Sequence, residues 1–360
     1  MPSFDTGVIS EILESRDGLV LVKVKVGRAK RTAEGFTRMT GELEVGDKVV
    51  INTTAAALEL GTGGEDFILW NLERKKHKSS SGGHIMKLRY TPWQMDTLAV
   101  ESPESEHHET LREASSLDGM PVVACGLHSQ IAPAAAMLKR LDPDLRIAYV
   151  MTDGGALPIE HSRLVATLRE KDLVDATITC GHAFGGDYEC VNIFSGLLTA
   201  SEVAAADVTI VSIGPGIVGT QTLLGHTAME QGQVISAAGA LGGRPVAAIR
   251  ISFAEERPRH RGVSQQTISA LRFGAVARCT MAVPDLGVEQ LTAVMQQLIQ
   301  SGLTEMHDVT IVDAWETESA LEDFGVSLTT MNRTMKQDPA FFEAAGAAGL
   351  LAGQLIYETE

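Results

Sequence analysis

Basic residues are in short supply in this chain: 30 Lys and Arg stand against 46 Asp and Glu, a formal charge of -16 over 360 residues. That balance opposes long-range attraction to nucleic acid or to an anionic membrane, so neither is the expected partner. Long apolar runs are missing as well. No uninterrupted apolar stretch reaches the roughly 18 to 20 residues of a membrane-spanning helix. The start, Met1-Pro-Ser-Phe-Asp-Thr-Gly7, lacks the basic and apolar regions of a signal peptide. A cytoplasmic location is the resulting expectation. Cysteine is sparse: Cys125, Cys180, Cys190 and Cys279 are the whole set and no two have CxxC spacing. Free thiols are therefore expected, in place of a disulfide framework or a structural zinc site.

What remains is the composition of a globular protein, 44% hydrophobic and 21% charged, long enough for two domains. Gly7–Leu13 and Gly18–Val26 are rich in β-branched residues, with the hairpin signal Arg16-Asp-Gly18 between them. Gly41–Ile51 places a Gly-Asp turn ahead of another apolar strand. Residues 1–74 are accordingly expected to form a small β-barrel of the SH3, OB or barrel-sandwich kind. Leu60-Gly-Thr-Gly-Gly64 reads as a turn. The Ser, Gly and Lys-rich stretch of residues 75–84 reads as a linker. Three basic runs stand out. Arg28-Ala-Lys-Arg31 and Arg74-Lys-Lys-His-Lys78 read as solvated loop charge, and Arg257-Pro-Arg-His-Arg261 is treated separately below.

From Pro121 onward short apolar runs alternate with segments of helical period, at Val122–Cys125, Ile131–Leu141, Arg146–Met151, His161–Lys171, Ala176–Thr179, Asn192–Glu202, Asp207–Ile213, Gln221–Ala240 and Pro245–Ser252. The pattern continues with a strand in Ala275–Val283, a helix at Val288–Ser301, a strand at His307–Asp313 and an alanine-rich helical tail. It predicts right-handed βαβ crossovers, hence a mainly parallel, Rossmann-like three-layer α/β domain over residues 85–360.

Five of the strand candidates end in glycine and reactive polar residues: Cys125-Gly-Leu-His-Ser129, Thr152-Asp-Gly-Gly155, Cys180–Asp187, Gly214–Thr220 and Arg250-Ile-Ser252. Ligands of open α/β sheets bind outside the carboxyl ends of the strands, so a site is expected along that rim. His128, Asp153, His182 and Asp187 are the candidate acid/base groups, with His182 and Asp187 as candidate ligands of a divalent metal. Asp187 as a helix cap and His182 as a turn residue are the plainer readings. Gly214, Gly216 and Gly219 match G-x-G-x-x-G and, with Thr220, form a candidate anion cradle at the N-terminus of a helix from Gln221. No Lys-Ser/Thr pair follows, and no acid stands about 20 residues on, which disfavours a P-loop and an NAD site. A tight turn needing positive φ weighs equally with anion binding. Arg257, Arg259 and Arg261 form a candidate anion clamp, favoured over surface pairing with Glu255 and Glu256 because the segment leaves a strand at the same edge. Cys125 or Cys180 as a nucleophile is the weaker reading against ordinary packing.

Tyr90-Thr-Pro-Trp-Gln94, His128–Pro133, Gly181–Asp187, Gly214–Thr220 and Asp338-Pro-Ala-Phe-Phe342 together resemble a bacterial family of uncharacterised proteins, domain of unknown function 3866. The likeness covers most of the chain and implies a bacterial, cytoplasmic origin and no particular activity. Family members tend to carry Ser-His-His-Thr where this chain has Ser264-Gln-Gln-Thr267, which puts in doubt an acid/base or metal role for that segment.

The functional expectation is an enzyme, a hydrolase or group transferase, that binds a small anionic, phosphorylated or nucleotide-like ligand at the sheet edge. The alternative is a non-catalytic metabolite sensor that uses the barrel as a docking module. RNA binding by the barrel is opposed by the acidic charge and by the barrel's few aromatics. Homodimerisation is the general expectation for proteins of this kind.

Overall fold

Leu19–Val26 turns Val20, Val22 and Val24 into an apolar interior, and that period of two sets the architecture of the N-terminal unit. The computed structural model describes residues 2–58, 64–78 and 81–358, which divide into two compact units between Thr97 and Leu98. In the first unit, β1 (Phe4–Arg16), β2 (Leu19–Val26), β3 (Ala29–Phe36), β4 (Lys48–Asn52) and β5 (Asp66–Asn71) form a closed barrel in the order β1-β2-β3-β5-β4. Asp17 and Gly18 make the two-residue turn from β1 to β2, and Gly18 sits at φ 74°, where a side chain would be strained. Ile9, Val49, Ile51 and Ile68 complete the core. Arg31 does not lie in a solvated loop as expected. It belongs to β3, and its guanidinium forks onto Asp66 of β5, a carboxylate only 1% exposed. The hairpin β6 (Ile85–Lys87) and β7 (Met95–Thr97) counts with this unit. The turn expected at Leu60–Gly64 lies, apart from Gly64, outside the described residues.

The second unit is built on β8 (Pro121–Cys125), β9 (Ile147–Thr152), β10 (Ala176–Cys180), β11 (Tyr188–Cys190), β12 (Val208–Ile213) and β13 (Arg244–Ala248). A short antiparallel ribbon of β14 (Ile251–Ser252) and β15 (Gly262–Val263) follows, and β16 (Thr280–Pro284) and β17 (Asp308–Val312) complete the set. Apart from the ribbon these strands make one eight-stranded parallel sheet, ordered β11-β10-β9-β12-β8-β13-β16-β17. β9 sends Ile147, Tyr149 and Met151 into one core and Ala148 and Val150 into another, so both faces are covered. Helices Ile131–Leu141, Arg163–Glu170, Thr317–Asp323 and Pro339–Tyr357 lie over the first face. Helices Ile193–Glu202, Glu230–Ala240 and Val288–Gln300 lie over the second. Helix Pro339–Tyr357 is long and apolar enough to cross a bilayer by length and composition, with mean hydropathy 1.3, yet 67% of that window is buried.

The chain steps outward from β8 through β9 and β10 to β11, leaving a gap that β12 returns to fill between β9 and β8. The helix after β8 packs on the first face and the helix after β12 on the second. Their connections therefore part company above the sheet, opening a crevice at a topological switch point. The helix expected from Gln221 begins instead at Glu230, and the expected strand Pro245–Ser252 breaks after Ala248, where the ribbon starts.

Candidate functional site

The carboxyl ends of β8, β9, β10 and β12 carry His128, Asp153, His182 and Gly214 along one rim. Asp153 and His182 follow neighbouring strands, and the Asp153 carboxylate accepts a hydrogen bond from the His182 backbone N–H at 2.9 Å. His128 is not within reach by the same logic. β12 stands between β8 and β9, which sets His128 about 10 Å from Asp153 at strand level. His128 has partners of its own: Nδ1 donates to the Ile213 carbonyl at 3.1 Å, and Nε2 accepts from the Ser162 hydroxyl at 2.6 Å. Burial pulls its pKa to about 4, so the ring is neutral at pH 7. Behind Asp153, Glu230 accepts from Thr152 Oγ1, and burial, with Asp153 nearby, raises its pKa.

Asp187 leaves the rim altogether. Its carboxylate accepts from the Thr177 N–H at 2.8 Å and the Thr177 hydroxyl at 2.9 Å, and pairs with Arg169. Thr177 lies near the start of β10 and His182 beyond its end, so the two candidate metal ligands are on the order of 10 Å apart. Among the described residues no three His, Cys, Asp or Glu side chains gather as a metal set. The two candidate thiols are buried packing groups, and burial pushes Cys125 far above its ordinary pKa.

The glycine cluster divides into two parts. Gly214 packs backbone on backbone against the loop after β9: a Cβ there would fall 2.1 Å from the Ala156 carbonyl oxygen, and Ala156 N donates to Pro215 O at 2.8 Å. This is close approach without room for a ligand. Beyond it the chain does not enter a helix. Gln221 takes φ 64°, Thr220 donates from both N and Oγ1 to the Gly225 carbonyl, and Gly225 N donates to Thr222 Oγ1. The threonine hydroxyls and backbone satisfy one another in a loop, which is why helical spacing at Gln221 misled.

That loop forms one wall of a cavity of about 230 Å³, through Ile217, Gly219, Gln221, Thr222, Leu223 and His226. The opposite wall comes from the segment after β13, through Arg250, Arg257, Arg259, His260, Gln265 and Gln266, with Ser269 and Met331 closing it. Of the expected anion-binding residues, Gly219, Arg257 and Arg259 line it. Gly214, Gly216 and Thr220 do not, and Arg261 turns away to donate to the Phe253 carbonyl at 2.9 Å.

Three arginines meet at this cavity, and no carboxylate is among the described residues that line it. Glu255 sits behind the wall, 4% exposed, and takes Arg257 through Nε at 2.8 Å and Nη2 at 2.6 Å. Arg250 reaches it at 3.4 Å and Arg333 at 3.5 Å. Arg257 first, and then Arg250, hold the Glu255 carboxyl far below its usual range. Arg250 is itself 6% exposed, and its Nε has no hydrogen-bond partner among the described residues. Burial and the neighbouring arginines pull His260 to about 4. It is therefore neutral, with Nδ1 2.8 Å from Ser264 Oγ and Nε2 accepting from Arg259.

Sequence reasoning missed His226, which is 8% exposed. Its Nε2 faces the Leu223 carbonyl at 3.1 Å and so carries the proton. Burial lowers its pKa, which leaves Nδ1 a bare acceptor with no partner among the described residues. A histidine just before a helix, between a glycine and a threonine, gives no signal in one sequence.

A family model described as Protein of unknown function (DUF3866) matches residues 32–349. No curated protein matches the chain.

Proposed function

The chain belongs to the family Protein of unknown function (DUF3866), and from the geometry of its sheet edge we propose that it is an enzyme which binds a small anionic ligand between the loop after β12 and the arginine segment after β13. The observation that carries this reading is Arg250, a buried cation on the cavity wall whose Nε has no partner among the described residues. A guanidinium in that state is costly unless an anion completes its hydrogen bonds. The net charge of -16 makes a local set of three arginines, with no carboxylate among the described lining residues, the more telling. Hydrolysis or group transfer is the reaction class we assign, with the unprotonated Nδ1 of His226 as the base available at neutral pH. A cavity of about 230 Å³ falls below the roughly 300 to 1,000 Å³ of drug-sized sites, which favours a ligand smaller than a nucleotide.

The test is a thermal melt of the full chain with inorganic phosphate. Ligand at 100 times its Kd adds about 2.7 kcal/mol, so a rise of several degrees is expected. Arg259→Gln, a change at an exposed position, should reduce that rise. No shift at any phosphate concentration would overturn the reading.

A further inference from the structure

An anion alone leaves this cavity incomplete. A phosphate or carboxylate group presents acceptors, which suit Arg250, Arg257 and Arg259. The Nδ1 of His226 is an acceptor as well, and nothing among the described residues donates to it. With Nε2 committed to the Leu223 carbonyl, the ring cannot exchange roles without losing that bond. A buried acceptor left unmade costs about 1–3 kcal/mol, a cost that an occupant with a donor of its own would remove on reaching it. Gln265 and Gln266 add side-chain amides, groups that both give and take hydrogen bonds and so match alcohol groups. Ile217, Leu223 and Met331 supply an apolar surface for a short carbon chain.

Resting on the proposed anion site, we infer that its ligand is a hydroxylated phosphate monoester of a few carbons, with the phosphate on the arginines and a ligand hydroxyl donating to His226 Nδ1. Phosphate is the anion of choice because three guanidiniums match a dianion better than a single carboxylate.

The experiment measures affinities of the full chain by calorimetry for inorganic phosphate, propyl phosphate, glycerol 3-phosphate and ribose 5-phosphate. A hydroxylated phosphate should bind roughly 3- to 10-fold tighter than propyl phosphate, the worth of one neutral hydrogen bond. His226→Phe, which keeps a ring and removes the acceptor, should erase that preference. His226→Asn provides a smaller replacement should the phenylalanine disturb folding, and circular dichroism confirms which variant is folded. If propyl phosphate binds as tightly as both hydroxylated compounds, or the preference survives in the folded variant, the inference falls while the anion site stands. If none of the four binds, the site itself falls with it.

Discussion

The Nε2 of His128 lies 2.6 Å from the hydroxyl of Ser162, and that hydroxyl also accepts the Val165 N–H at 3.1 Å as N-cap of helix Arg163–Glu170. One oxygen thus donates to the ring that closes the end of β8 and caps the helix that follows β9. It ties two crossovers of the sheet together at the rim.

Removing it should therefore cost twice. Ser162→Ala loses the cap, worth about 0.5–2 kcal/mol, and leaves the buried acceptor of His128 unmade at about 1–3 kcal/mol. A total loss on the order of 2–4 kcal/mol is expected in urea denaturation, with Ser162→Thr recovering most of it. Because neither residue lines the arginine cavity, the phosphate-induced rise in Tm should be unchanged. A phosphate response that vanished with Ser162 would show the two regions to be coupled.

The strands were the legible part of this fold. Val122–Cys125 and Val208–Ile213 are buried on both faces and so read as continuous apolar runs, which is what a covered parallel sheet demands. β3 was missed because Ala29–Phe36 mixes Lys, Arg, Thr and Glu, and its stability rests on a partner, Asp66, far along the chain. The order of strands was not legible either. Local pattern says that β8, β9 and β10 follow one another, but only packing decides that β12 inserts between β8 and β9 and separates His128 from Asp153. Asp187 was misplaced for a related reason. A loop that doubles back to start β11 delivers it to Thr177, at the opposite end of β10 from His182. The arginine wall was readable because four cations cluster just past a strand, whereas His226 acquires its meaning only from packing against the Leu223 carbonyl and Ser269.

Stability should fall as the protein is acidified from pH 7 to 5. His128 and His260 are held to about 4 in the folded chain against 6.5 when unfolded. Between those values the unfolded state binds protons that the folded state refuses, so their stabilisation is complete above 6.5 and is lost as pH falls towards 4. His226 and His307, also lowered by burial, act in the same direction. Glu230, raised by burial, opposes them slightly, since its folded form takes up a proton first. Glu255 contributes its own loss only below its unfolded value of 4.5. Urea titrations should show a decrease of about 2–4 kcal/mol across the window, smaller in His260→Gln. A flat profile would mean that these imidazoles are solvated and not buried.

Glu255 offers a test of electrostatics and binding together. It is the internal counterion of Arg250, Arg257 and Arg333, and an external anion in the cavity would compete for two of the same guanidiniums. Glu255→Gln keeps the shape and removes the charge. Without ligand, Arg250 and Arg257 then lose their counterion while Arg333 keeps Asp338 at 3.1 Å, and a loss of roughly 3–5 kcal/mol is expected for breaking a buried ion cluster from one side. With phosphate present, the freed Arg257 fork should hold the anion more tightly, so the phosphate-induced rise in Tm should be larger in the variant than in the native chain. High chloride should recover part of the lost stability by the same screening. Equal phosphate responses in the two proteins would mean that the guanidiniums serve Glu255 alone, and that the cavity beside them is a by-product of an internal salt bridge.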